Sequence, residues 1–97
     1  MYARVTGFKV IPEKIDEASR LIEEIRSHVM EFPGVVEVIG LAKAGGAERL
    51  VIAIYESRAL ADAAIPRTLR AWHALSCILQ EAPQSSAYEV MARDVAK

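Results

Sequence analysis

Arg49-Leu50-Val51-Ile52-Ala53-Ile54-Tyr55-Glu56 is apolar in both of its alternating registers. Successive side chains of a strand point to opposite faces of the sheet, so Leu50, Ile52 and Ile54 take one face and Val51, Ala53 and Tyr55 the other. The β-branched and aromatic content makes the stretch a strand. An antiparallel strand with one wet face alternates apolar with polar residues, and this one does not. The sheet it belongs to must be covered on both sides. Residues 35–44 repeat the pattern, with Val36 and Val38 on one side and Val35, Ile39 and Leu41 on the other. Gly45-Gly46 between the two stretches supplies the positive φ angles of a tight hairpin.

Outward from that hairpin, residues 2–10 read as a further strand. Pro12 then stands where a first helical turn tolerates it, followed by the acidic Glu13, Asp16 and Glu17. Ile15, Ala18, Ile22, Ile25 and Val29 form one helical stripe, Arg20 is spaced to pair with Asp16 and Glu24, and Pro33-Gly34 ends the helix. Beyond the hairpin, residues 57–65 are Ala-rich and helical. Pro66 interrupts them by pushing Ile65 out of helical geometry, so Ile65-Pro66-Arg67 is expected to be a turn. Residues 68–80 make another helix with Leu69, Trp72, Leu75 and Leu79 on its stripe, Pro83 closes it, and residues 87–95 are the last strand. The order βαββαβ is that of a ferredoxin-like α+β fold with a four-stranded antiparallel sheet, a single domain over residues 1–97. Its helices cover one face only. The apolar second face is expected to be covered by a second copy, giving a homodimer through sheet faces that buries more than about 1,000 Å²; the other reading is a monomer whose loops half-cover that face.

Composition narrows the function classes. The 97 residues carry 12 basic and 13 acidic side chains, a net charge of −1, with 53% hydrophobic residues. That balance argues against a nucleic-acid or membrane surface as the partner. Cys77 is the single cysteine, so neither an internal disulfide nor a thiolate metal cluster is expected. No membrane span or targeting segment is visible, and the expected location is the cytoplasm. Glycine-rich nucleotide loops, the G-x-S-x-G elbow and H-E-x-x-H are all absent. No metal and no cofactor is expected.

What remains are scattered polar tips on apolar elements. His73 has the acid–base range of an imidazole, although it sits well round the helix from the Trp72-Leu75-Leu79 stripe, beside Leu69 and Ser76. Tyr55 and Tyr88 put hydroxyls on otherwise apolar strands, while Arg4 and Thr6 share one face of the first strand and are placed to complete a pocket between sheet and helices. Trp72 fits core packing as well as a pocket wall. His28 suits the C-terminus of the first helix. The pocket is expected to open at the Ile65-Pro66-Arg67 turn, where the helical cover is broken.

Tyr2-Ala3-Arg4-Val5-Thr6, Glu31-Phe32-Pro33-Gly34-Val35-Val36, Ile54-Tyr55-Glu56-Ser57 and Ala87-Tyr88-Glu89-Val90 together resemble the dimeric α/β-barrel superfamily, and within it the antibiotic biosynthesis monooxygenase-like domain. The Tyr-Glu-Ser triplet stands where that family has Trp-Glu-Ser. The resemblance implies a cofactor-independent monooxygenase acting on a small aromatic or quinol-type substrate. In that reading His73, Tyr55 and Arg4 are the catalytic candidates, and Thr6, Trp72 and Tyr88 bind a small apolar or aromatic ligand. A non-catalytic ligand-binding or interaction module of the same fold is the alternative. A haem-degrading member is the second, and there the pattern departs: the chain has no Asn, Thr6 and Ala64 stand at two of the three expected positions, and His73 matches the third only through a one-residue shift.

Overall fold

The computed structural model describes residues 1–96. Its elements are β1 (Tyr2–Lys9), a 3-10 turn (Pro12–Lys14), α1 (Ile15–Val29), β2 (Val35–Ala42), β3 (Glu48–Tyr55), α2 (Arg58–Ala63), α3 (Ile65–Ala74), a second 3-10 turn (Ser76–Ile78) and β4 (Gln84–Glu89). All pairings are antiparallel and the strand order is β2-β3-β1-β4. This is the expected ferredoxin-like α+β arrangement, a slab measuring 37 × 32 × 20 Å with helices on one side. Gly45 and Gly46 turn the β2–β3 hairpin at φ 95° and 77°.

Three boundaries differ from the sequence reading. The helical cover breaks at Ala64 rather than at the proline: α3 starts at Ile65 and takes Pro66 into its first turn, where the missing N–H costs nothing. The long helix expected over residues 68–80 ends at Ala74 and tightens into the Ser76–Ile78 turn. The last strand lies upstream of its expected position, because Gln84, Ser85 and Ser86 pair with Gly7, Thr6 and Val5 despite their polarity. An edge strand tolerates such residues, since one side of it meets water.

Side chains opposite one another across a pair share a face. Tyr2, Arg4, Thr6 and Phe8 therefore lie with Tyr55, Ala53, Val51 and Arg49 under the helices, while Ala3, Val5 and Gly7 lie with Ile54, Ile52 and Leu50 on the open face. A bulge at the start of β2 adds one residue, so Val35 joins Val38 under the helices, and Glu37, Ile39 and Leu41 turn to the open face. The sequence reading had placed Val35 with Ile39 and Leu41; the bulge breaks that alternation. After β4 the chain leaves the sheet. Val90 donates its N–H to the Met1 carbonyl at 3.1 Å, and Arg93 reaches Glu37 at 3.1 Å. Since β4 and β2 are opposite edges, this arm runs along one end of the open face, where Ala3 and Ile54 are buried.

Candidate active site

Beneath the helices the core forms two clusters. One gathers Phe8, Ala18, Ile22, Trp72, Leu75 and Ile78, and the other Val29, Phe32, Ala53, Tyr55, Ala61 and Ala64. Between them the inner face of β1 offers Arg4 and Thr6, polar side chains that hydrophobic packing cannot close over. The result is a cavity of about 30 Å³, room for one or two waters, walled by residues of both clusters with Arg4, Thr6, Tyr55, Thr68 and Trp72. Arg4, Thr68 and Trp72 also wall a neighbouring cleft of about 100 Å³ that opens between α3 and β4 beside Leu69, Pro83 and Ser85. The opening therefore lies along α3 and includes Ile65, one residue of the turn expected to form it.

Each polar group has a local reason for its position. Thr6 is buried, and its hydroxyl lies 2.9 Å from that of Ser85 on β4. Thr68 donates to the Ala64 carbonyl at 3.0 Å, which holds its side chain against the start of α3. The Arg4 side chain is 14% exposed and approaches Asp62 only at 3.8 Å. Its Nε is buried without a hydrogen-bond partner, an expensive arrangement for a permanent cation. Tyr55 is 1% exposed. Burial pushes its phenol above the ordinary 10.0, with the nearby Thr68 side chain and the Arg4 charge pulling it partly back. At neutral pH the cavity thus holds a fixed positive charge beside a protonated phenol.

Of the six residues singled out from the sequence, the fold brings Arg4, Thr6, Tyr55 and Trp72 together around this cavity. His73 and Tyr88 are not among them. Trp72 packs on Phe8 with ring centroids 4.8 Å apart, and His73, one position further round α3, is turned to solvent. Tyr88 pairs with Ala3 and stands on the open face, 56% exposed. The sequence reading missed Thr68 and Arg26, which also line the cavity; Arg26 follows Ile22 by four residues and so lies on the buried stripe of α1, the signal that was available. The residues present do not fit haem: His73, the one histidine of the haem-degrading reading, faces outward, so the cavity offers no imidazole to an iron. Among the described residues no cluster of His, Cys, Asp and Glu has the makings of a metal site, and no helix is long and apolar enough to cross a membrane.

A scan against protein-family models finds no match, and neither does a search of curated proteins. Solved structures do match. A Nitrosomonas europaea protein provisionally named an antibiotic biosynthesis monooxygenase superposes with a TM-score of 0.81 at 16% identity, over 95% of this chain and 100% of that one. The fold is the one shared by solved structures described as antibiotic biosynthesis monooxygenases. The ActVA-Orf6 monooxygenase of Streptomyces coelicolor, solved with the ligand nanaomycin D, has a TM-score of 0.75 at 20% identity, over 99% of this chain and 92% of that one. SnoaB of Streptomyces nogalater, described as a cofactor-independent oxygenase, gives 0.73 at 15%, over 95% and 94%. At these identities the likeness carries the architecture and leaves the chemistry to the site.

Proposed function

We propose that this protein binds a small quinol-type aromatic molecule as its anion in the cleft between α3 and β4, with its hydroxyl directed to Arg4 and Tyr55 at the inner cavity, and passes it to dioxygen without a bound cofactor. The observation that carries the reading is the Arg4 guanidinium, mostly buried and short of a partner, beside the protonated phenol of Tyr55 in an otherwise apolar space. A charge held there lowers the energy of an oxyanion far more than it would in water, and Tyr55 adds a hydrogen-bond donor. The lining offers no carboxylate or imidazole, so the proton leaves to water through the cleft, from a hydroxyl that Arg4 has acidified. Trp72 and the aliphatic walls orient the ring and exclude bulk water. The electron-rich anion then reduces dioxygen. One oxygen atom enters the ring as a hydroxyl, the other leaves as water, and the hydroquinone ends as a hydroxyquinone, which balances atoms and electrons.

The missing base also favours a second reading, in which the cavity binds such a ligand and performs no chemistry. One experiment separates the two. Naphthohydroquinone is given to the protein under isotopically heavy dioxygen, and the products are weighed. Oxygenation predicts a hydroxynaphthoquinone carrying one heavy oxygen atom, with the rate falling at least about tenfold in Arg4→Met, the loss of one charge-assisted contact. Formation of only the unlabelled naphthoquinone and peroxide, at the rate seen without protein, would exclude it. Quenching of Trp72 emission by the same compound would then leave the binding reading standing.

A further inference from the structure

Arg4 has one ion-pair partner among the described residues, and that partner lies outside the site. Asp62 stands half-exposed on α2, is absent from the walls of cavity and cleft, and places Oδ1 3.8 Å from Arg4 Nη2. A charge-assisted hydrogen bond would close to about 2.7–2.9 Å. The carboxylate therefore balances the buried charge without engaging it, and Arg4 Nε stays buried and unpaired. The other carboxylate oxygen is drawn elsewhere. Oδ2 lies 3.6 Å from Nε of Arg58, one turn back on the same helix. Arg58 is held in its turn, its guanidinium carbon standing 5.9 Å from the centroid of the Tyr2 ring.

The arrangement is built into two elements. Tyr2 and Arg4 are two residues apart on β1 and share its inner face, a rise of about 6.6–6.8 Å. Arg58 and Asp62 are four residues apart on α2, a rise of about 6 Å. The two repeats match, so Arg58 meets Tyr2 where Asp62 meets Arg4. The Ser57 hydroxyl fixes where α2 begins and Ala61 is buried beneath it, which sets the phase of the helix on the strand. Asp62 is thus shared between two cations of unlike surroundings. The Arg4 side chain is 14% exposed and that of Arg58 75%. An ion pair confined to the surface of α2 would have little consequence; this one has its second oxygen towards a charge that water screens poorly.

We infer that Asp62 and Arg58 set how tightly Arg4 holds an anionic ligand: Asp62 competes with the ligand for the guanidinium, and Arg58 holds that competitor back. The inference rests on the reading of Arg4 as the anion-binding group and adds what tunes it. Both are positioning residues, which touch no ligand and act through Arg4. With Arg58 in place the carboxylate is divided, and Arg4 keeps charge to spend on an oxyanion. Without Arg58 the carboxylate turns fully to Arg4. Without the carboxylate charge, Arg4 meets the ligand unopposed.

Trp72 is the only tryptophan in the chain and walls the cleft, so its emission reports on this site. The probes are 4-cyanophenol, at a pH where it is the phenolate, and its neutral methyl ether. The natural protein should prefer the phenolate. Asp62→Asn should tighten phenolate binding about threefold, and Arg58→Met should weaken it about twofold. The ether should bind all variants alike, which shows that the site is intact. In the double variant the Arg58 effect should vanish, because no competitor is left to hold back. A merely structural role would weaken both probes in both variants. Phenolate affinity that is unmoved by either substitution, or moved in the same direction by both, overturns the inference and leaves the Arg4 reading standing. So does a loss from Arg58→Met that persists beside Asp62→Asn, which would assign it to the field of Arg58 itself. A natural protein that binds neither probe, or does not prefer the phenolate, overturns the reading of Arg4 and the inference together.

Discussion

Four of the six residues read from the sequence meet in one place because their positions depend on local geometry. Arg4 and Thr6 are two apart on a strand, so they share a face whatever the strand pairs with. Tyr55 shares its face with Val51 and Ala53 for the same reason, and Trp72 belongs to an apolar helical stripe. Tyr88 depends on something its own strand does not encode. In Gln84-Ser85-Ser86-Ala87-Tyr88-Glu89 no apolar alternation pins the register, and a slip of one residue moves a side chain to the other face; pairing with Ala3 puts Tyr88 outside. His73 was already well round the helix from Trp72, and the turn it occupies leaves it in water. At this scale the buried Tyr55 phenol makes a pH prediction. Its folded-state pKa is raised above the 10.0 of an unfolded chain, so the folded state holds the proton longer. Stability from this group is complete below pH 10.0 and is lost as pH rises through the folded-state value. Urea midpoints measured on either side of pH 10.0 should fall more steeply for the natural protein than for Tyr55→Phe. Parallel slopes would mean that the phenol ionises freely in the fold.

Among the elements, β1, α1 and the β2–β3 hairpin were legible because each carries its own period and its own stop signal. The helical cover of the second half was legible only in outline. Pro66 was read as a breaker, yet a proline that cannot continue one helix is well suited to begin the next, and the alanines on either side give no cue to choose. The break moved by one or two residues, and the cleft beside α3 moved with it. The last strand was displaced because tertiary pairing along β1 outweighed the weak strand propensity of two serines and a glutamine. The short α2 needs a start signal of its own, and Ser57 supplies it: extended at φ −148°, it accepts the Leu60 N–H on its hydroxyl at 3.2 Å. Ser57→Ala should cost about 1 kcal/mol of unfolding free energy, measured by denaturant titration. The effect should be repaired by Ser57→Asp, which restores an acceptor; equal loss in both variants would assign the residue to packing instead.

As a whole molecule, the described residues form one layer of helices and one sheet, whose other face is covered only at one end, by the arm after β4. Its accessible surface is 6278 Å², against roughly 5,500 Å² for a folded monomer of this mass. The arm after β4 contributes to the excess, with Met91 and Val95 largely exposed, and so does the open face. The arm that ends in the Arg93–Glu37 pair covers one end of the open face, but towards the hairpin Leu41 and Leu50 are 49% and 41% exposed. There a hollow of about 560 Å³ runs over Gly7, Leu41 and Leu50. It is larger than the inner cavity, and its floor at Gly7, Leu41 and Leu50 is apolar while its rim carries Lys9, Lys43, Glu48 and Glu81. A single copy would leave that floor in water, and a second copy, sheet against sheet, removes both apolar faces at once. We therefore expect a dimer in solution, with a scattering mass of twice the 10.7 kDa of the chain at micromolar concentration. Ile39 lies opposite Ile52 midway along the edge strand β2, on the open face and so away from the helices and the cavity. Ile39→Asp would bury a carboxylate without a partner in the dimer and leave it solvated in the monomer, a difference of several kcal/mol. The variant should run at 10.7 kDa with its helix and strand content intact. A natural protein that itself scatters as a single chain, or a variant that remains dimeric, would show that the open face is not where two copies meet.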